Sequence, residues 1–258
     1  MTEGTPRLVV VSFGGGVNST AMLIGMHERG ERVDLILFAD TGGEKPHTYA
    51  HVLEMSEWLV AHGMPAITTI RGQNPQQVSD GSLEAECIRK HSLPSVAYGF
   101  KDCSLKWKVE PQRRYLRGLQ IDYPVTMLVG YDADEAHRSR KSISDDKYIY
   151  RHPLIEWDWG REECVEAINR AGITQPGKSA CFFCPSSKKK EIYELRRVYP
   201  DLASRAVAME KNAQLTSVKG LGRSFAWGDL YAADDNQAKL FPDSPIEIDC
   251  GCYDGEPA

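Results

Sequence analysis

The sequence predicts an α/β fold, a doubly wound and mostly parallel sheet with helices on both faces, followed by an irregular C-terminal tail. Apolar, β-branched runs at 7–12, 33–38, 66–70 and 125–129 alternate with helical patterns at 19–28, 47–62 and 110–119. That alternation builds a parallel sheet covered on both sides. The first run, Leu8-Val9-Val10-Val11, breaks at Gly14-Gly15-Gly16, and Asn18-Ser19-Thr20 then opens a helix. With 258 residues, 41% of them apolar and 26% charged, the chain is long enough to bury one substantial core.

The first strand and its glycines form the most pointed feature. Glycine lets the backbone come close to a ligand, and successive N–H groups at a helix N-terminus suit phosphate oxygens. The stretch Ser12-Phe13-Gly14-Gly15-Gly16-Val17-Asn18-Ser19-Thr20 has neither the Gly-Lys-Ser/Thr ending nor the Gly-x-Gly-x-x-Gly spacing. A turn that binds nothing is the alternative reading. The second strand runs into Ala39-Asp40-Thr41-Gly42-Gly43 and the fourth into Gly130-Tyr131-Asp132. Three loops therefore face one crevice beyond the carboxyl ends of the strands. Residues 72–102, of mixed polarity, read as an excursion over that edge, and 132–146, charged without apolar spacing, as a mobile loop. Helices are expected at 160–171, 188–197 and 201–214, and the Asp-, Pro- and Gly-rich stretch from 225 onward reads as irregular.

Composition narrows the classes. No run of about 18 apolar residues is present, so no membrane span is expected. The N-terminal residues lack the basic start and apolar stretch of a secretory signal, which makes the cytoplasm the expected compartment. A net charge of −5 argues against wholesale electrostatic binding of nucleic acid and leaves a local basic patch open. Lys106, Lys108, Arg113, Arg114 and the run Lys188-Lys189-Lys190 are candidates for one, or simply solvated faces.

The seven cysteines, odd in number and widely spread, point to metal binding, redox chemistry or core filling. Cys181 and Cys184 have a spacing that lets two thiolates reach one metal or cluster. Taken alone they fit a zinc half-site, a redox dithiol or chance. Cys103 lies far upstream before a basic helix start, Cys87 is the nearest spare thiol, and Cys164 reads as a core residue.

In order, these pieces resemble the phosphoadenosine phosphosulfate (PAPS) reductase family of the adenine nucleotide α-hydrolase-like (PP-loop) superfamily, in particular its small phage and prophage members. Five stretches carry the resemblance: Ser12 to Thr20; Ala39-Asp40-Thr41-Gly42-Gly43-Glu44; Cys103 with Lys108 and Pro111; Pro153-Leu154-Ile155-Glu156-Trp157; and Cys181-Phe182-Phe183-Cys184-Pro185. It implies a nucleotide-binding domain over 1–220 with a tail, 221–258, packed on it. It assigns adenine-nucleotide contacts to Ser12, Gly14, Gly15, Gly16, Asn18, Ser19, Thr20, Asp40, Thr41, Gly42, Lys108 and Gly130. Aligned on Gly15 and Gly16, the family's loop Ser falls at Gly14 and its Asp at Asn18. A hydroxyl and a negative charge are lost, while the anion-binding backbone is kept.

The resemblance also bears on the thiols. In the iron–sulfur members a Cys-Cys pair precedes a basic helix start and a Cys-x-x-Cys follows. Here Cys103 stands alone between Asp102 and Ser104, so a [4Fe–4S] cluster on Cys103, Cys181 and Cys184 takes Cys87 as its expected fourth ligand, with Cys250 and Cys252 as alternatives. Cys250 and Cys252, around Gly251, also resemble the tail that bears the reductase nucleophile, and Arg138 the arginine that contacts substrate phosphate or sulfate. Two activities are implied. One reduces a sulfonucleotide, a cysteine taking the sulfur and a thioredoxin-like dithiol releasing sulfite. The other binds ATP with Mg²⁺, adenylates an acceptor oxygen such as one of a nucleic acid, and lets sulfur displace AMP. A nucleotide-binding module without catalysis is the third reading, motivated by Gly14 and Asn18. A homodimer is open, since such assemblies are common among α/β enzymes.

Overall fold

The structure, a computed structural model, describes residues 7–72, 81–100, 102–121 and 123–240. Strands β1 (Val9–Phe13), β2 (Leu35–Asp40), β3 (Ile67–Arg71), β4 (Val125–Val129) and β5 (Tyr148–Arg151) form one sheet in the order β3-β2-β1-β4-β5, with every pairing parallel. The chain builds outward from β1 on one side, then crosses to its other edge with β4. The strand order reverses there, and a crevice opens beyond the carboxyl ends of β1 and β4.

The helices are α1 (Val17–Glu28), α2 (Pro46–Ala61), α3 (Leu83–Arg89), α4 (Asp102–Ser104), α5 (Glu110–Gly118), α6 (Pro153–Glu156), α7 (Arg161–Arg170), α8 (Lys189–Val198), α9 (Pro200–Asn212) and α10 (Trp227–Leu240). A π-helical turn, Leu105–Val109, joins α4 to α5. Because strand side chains alternate between faces, Val11, Phe13, Ile36, Phe38 and Leu128 pack against α1, α2 and α7, while Val10, Leu37, Ala39, Ile70 and Met127 pack with Leu116 of α5. Burial on both faces explains why β1, β2 and β4 read as continuous apolar runs. A further cluster joins Leu83, Cys87, Trp107, Phe182, Phe183, Ile192, Met209 and Trp227, beside the carboxyl edge of the sheet. No helix among the described residues is long and apolar enough to cross a membrane.

The doubly wound parallel sheet is as expected, and four of its strands were legible. Three expectations are corrected. Strand β5 went unseen because its four residues, Tyr-Ile-Tyr-Arg, form a half-exposed edge strand without an apolar run. The span read as a mobile loop contains a 3₁₀ helix, Ala133–Lys141. Its start is held by a polar cap, which leaves no apolar period to detect: Asp132 accepts the Glu135 N–H at 2.9 Å. The tail read as irregular from 225 is helical over α10. Its Pro and Gly residues concentrate after 240, whereas Trp227 and Tyr231, one turn apart, sink into the same cluster as Phe182 and Ile192. The helix start is held from outside, since the buried Glu210 carboxylate accepts the N–H groups of Leu221, Trp227 and Gly228 at 2.7, 2.9 and 3.1 Å.

Candidate active site

Gly14, Gly15 and Gly16 link β1 to α1, and the turn requires them. Gly15 sits at φ +73°, where a Cβ would also stand 3.0 Å from Thr48 Cγ2. Gly16 caps α1 without a side-chain bond, and the first turn holds no acidic residue. Free N–H groups and the helix dipole make this end electropositive. Ser19 Oγ accepts the Gly14 N–H at 3.2 Å and donates to the Gly16 carbonyl at 3.1 Å, bracing the loop. Gly130, at the end of β4, presses on the same helix start: a Cβ there would lie 3.1 Å from backbone atoms of Asn18 and Ser19. The Ser179 hydroxyl donates to the Gly14 carbonyl, so the strand of chain that leads into Cys181 crosses the loop.

Several residues expected to touch a nucleotide have side chains committed elsewhere. Ser12 Oγ accepts from Gln112 Nε2 at 2.9 Å. Thr20 is fully buried, with its hydroxyl 2.8 Å from His51 Nε2. Asp40 accepts from the Gly42 N–H and Tyr49 hydroxyl, both at 2.8 Å, and from Arg71 Nε at 2.9 Å. Asp40 therefore builds the turn. Around that turn lies a cavity of about 380 Å³ lined by Gly42, Tyr49, Arg71, Gly81 and Ser82, of a size to take a small ligand.

Asn18 bridges the loop to the β4 end. Its amide donates to Asp132 Oδ2 at 2.8 Å, and its carbonyl oxygen accepts from Arg161 Nη1 at 3.3 Å. Burial pushes the Asp132 carboxyl above the usual range, against the Glu135 N–H bond it accepts. An aspartate at 18 would face this second carboxylate, which accounts for asparagine here. Arg138 stands over the Tyr131 ring at 4.6 Å and donates to both oxygens of Glu135 at 2.7 Å.

The Cys-x-x-Cys is seated directly on the loop that follows β2. Phe182 N–H donates to the Gly43 carbonyl at 2.8 Å, Glu44 and Cys181 form an antiparallel bridge, and the Thr41 hydroxyl lies 3.1 Å from Cys181 Sγ. Gly43 is required because Phe183 would meet its Cβ at 2.7 Å. Cys87 lies in the apolar cluster against which Cys103 and Cys181 pack, and the Cys184 N–H donates to the Cys181 carbonyl at 3.0 Å. Burial pushes the Cys87 and Cys181 thiols up to about 12 and raises Cys184. Lys108 reaches in beside Cys181 and donates to Glu44 Oε1 at 3.0 Å, with the Glu44 side chain wholly buried and its Oε2 without a partner among the described residues. Burial opposes the Lys108 charge, but Glu44 and Cys181 outweigh it and raise the ammonium pKa.

Among the described residues no three Cys, His, Asp or Glu side chains stand ready to hold a single metal ion. As soft donors, with the Lys108 cation alongside Cys181, the four thiols have the chemistry that a polynuclear iron–sulfur group takes, whose binding releases thiol protons. Cys164 is buried against α1 in the core, and Cys250 and Cys252 lie outside the described residues. Glu44, Ser179 and Glu135 received no role from the sequence. Ser179 reaches Gly14 from 165 positions away, which no local pattern signals.

Comparison with known proteins places this geometry. A model of the phosphoadenosine phosphosulfate reductase domain matches residues 8–162, more than half of the chain and all of the sheet. The chain belongs to that family. It is also similar to two uncharacterized proteins of Methanocaldococcus jannaschii. MJ0066 is 26% identical over 215 residues, covering 78% of this chain and 41% of that protein. MJ0973 is 20% identical over 241 residues, covering 89% and 54%. The chain thus spans about half the length, or less, of these relatives. Among solved structures it is similar to the U34-tRNA thiolase NcsA of Methanococcus maripaludis with its [4Fe-4S] cluster, at 14% identity and a TM-score of 0.45, over 98% of this chain and 78% of that one.

Proposed function

We propose that this PAPS-reductase-family protein binds an adenine nucleotide at the glycine loop and performs sulfur chemistry on it as a sulfonucleotide reductase. In this reading Cys87, Cys103, Cys181 and Cys184 hold a [4Fe–4S] cluster, and 1–220 is the nucleotide-binding unit with 221–258 packed on it. The observation that carries the reading is the seating of Cys181 on Thr41 and Glu44, which joins the thiols to the turn that walls the 380 Å³ cavity.

The chain's own groups divide the work. The uncapped N–H groups at the start of α1 take phosphate oxygens, with charge stabilisation from Arg138. The cavity beside Tyr49 and Arg71 takes the nucleoside. Lys108, kept charged by Glu44, faces the thiols and supplies positive charge between them and the nucleotide. A cluster held there would supply redox-active iron and bound sulfide next to the substrate. The thiolate of Cys250 or Cys252 attacks the sulfate sulfur. The S–O bond then breaks, with its electron pair leaving on the nucleotide phosphate. A thioredoxin-like dithiol attacks the cysteine sulfur, releases sulfite and is oxidised to its disulfide.

A second reading, an ATP- and Mg²⁺-dependent sulfurtransferase acting on nucleic acid, is favoured by one observation. Apart from the core residue Cys164, every described thiol belongs to the four-cysteine set, which leaves no separate attacking thiol among the described residues. Anaerobic protein given PAPS or adenylyl sulfate with a thioredoxin system is expected to release sulfite, and Cys250→Ser with Cys252→Ser to abolish it. No sulfite, but AMP formed from ATP only with sulfide and RNA or DNA present, would replace the reductase by the transferase. Nucleotide binding without turnover under either regime would leave a binding module.

A further inference from the structure

Glu135 stands between two positive groups at the proposed phosphate site. Its carboxylate accepts from Arg138 Nη1 at 2.7 Å to each oxygen, and its Oε2 lies 3.5 Å from Asn18 Nδ2 in the first turn of α1. That turn has no side-chain cap and no acidic residue of its own, so its positive potential is balanced from outside the helix. The neighbouring acids have structural duties. Asp132 caps the 3₁₀ helix and holds Asn18, and Asp134 accepts the first N–H of α7, from Arg161, at 2.9 Å. Glu135 caps nothing. It can move without releasing a helix end.

Arg138 is equally ready to change partners. Among the described residues its Nε and Nη2 make no hydrogen bond, and the Tyr131 ring supports the guanidinium from below. Both members of the ion pair are partly exposed, with side-chain exposures of 48% for Arg138 and 37% for Glu135. Exposed pairs of this kind are weak and exchangeable, whereas a guanidinium bonds phosphate or sulfate oxyanions strongly.

We infer that Glu135 is the resident counter-ion of the oxyanion site: it neutralises Arg138 beside the α1 N-terminus until a phosphate or sulfate group takes Arg138 from it. This rests on the reading of the glycine loop as a phosphate site. The carboxylate sets a threshold. A multiply charged group such as pyrophosphate displaces it, whereas a singly charged anion competes poorly, so Glu135 selects for the charge density of a nucleotide diphosphate or phosphosulfate.

The test is calorimetric titration of the full-length protein with inorganic pyrophosphate at low ionic strength. The variants are Glu135→Gln, Arg138→Ala and the double substitution. Glutamine keeps the backbone N–H that Asp132 caps, so the 3₁₀ helix is retained. Glu135→Gln is expected to tighten binding by up to about five-fold, the upper end of an exposed ion pair, and Arg138→Ala to weaken it. In the Arg138→Ala background the Glu135→Gln gain is expected to fall below half. Unchanged or weaker binding in Glu135→Gln overturns the counter-ion, as does an equal gain with and without Arg138. If wild type and every variant bind no pyrophosphate, the phosphate reading of the loop falls as well, which separates the two failures.

Discussion

Replacing Gly15 by alanine tests the loop's physical basis, because it combines two penalties that Gly30 and Gly130 carry singly. At φ +73° an L-residue is strained by about 1–2 kcal/mol. Its Cβ would also stand 3.0 Å from Thr48 Cγ2, with Phe38 Cε2 at 3.6 Å and Val52 Cγ2 at 3.7 Å closing the space behind. Overpacking of that kind costs about 1–3 kcal/mol. Gly30 isolates the first penalty, with φ +60° and nothing within 4 Å. Gly130 isolates the second, with three backbone atoms at 3.1 Å and no positive φ. Urea unfolding followed by tryptophan fluorescence is expected to show Gly15→Ala losing about 2–5 kcal/mol, Gly30→Ala about 1–2 and Gly130→Ala about 1–3. A Gly15→Ala protein no less stable than Gly30→Ala would refute the reasoning, because Thr48 would then yield freely and the loop would not be confined.

Three further outcomes are expected. Burial lowers the His51 pKa, with Glu54 opposing, so the unfolded chain takes up the proton first and stability falls as pH drops below about 6.5. His47 is lowered by burial too and acts in the same window; His51→Gln should therefore make the acid-side fall in Tm shallower, and an unchanged slope would rule His51 out as a source. Glu210→Ala strands the N–H groups of Leu221, Trp227 and Gly228 and is expected to cost about 3 kcal/mol or more, with hydrogen exchange at Trp227 accelerated; native-like protection there would show that α10 does not depend on Glu210. Arg29 lies 4.2 and 4.7 Å over the rings of Trp157 and Trp159, so Arg29→Ala should lower unfolding free energy by about 1 kcal/mol, and no measurable loss would mean the two contacts are idle.

What was legible follows the physics of each element. Strands β1, β2 and β4 announce themselves because both of their faces are buried, and the glycine turn because a backbone that must reach φ +73° against Thr48 admits little else. The meeting of the three strand-end loops followed from parallel topology alone. Side-chain commitments did not. Thr20 and Asp40 look like ligand contacts in the motif, yet the tertiary neighbours His51, Tyr49 and Arg71 take up their polar atoms. Lys108 turns to Glu44 for the same reason: a wholly buried carboxylate needs a charged partner. Cys87 was nameable only as the nearest spare thiol, since tertiary packing, and no spacing, sets it in the cluster against which Cys103 packs. Strand β5 and the 3₁₀ helix escaped because an edge strand and a helix started by a polar cap leave no hydrophobic period.

The proposed site joins a phosphate-binding loop to four thiols holding one cluster. The most direct measurement is iron, acid-labile sulfide and zinc content of anaerobically purified protein, for wild type and for Cys87→Ser, Cys103→Ser, Cys181→Ser and Cys184→Ser. About four irons and four sulfides per chain are expected for four cysteine ligands, with loss of the cluster or a marked fall in iron content in each variant. Colourless wild-type protein with stoichiometric zinc, or with no metal at all, would contradict it.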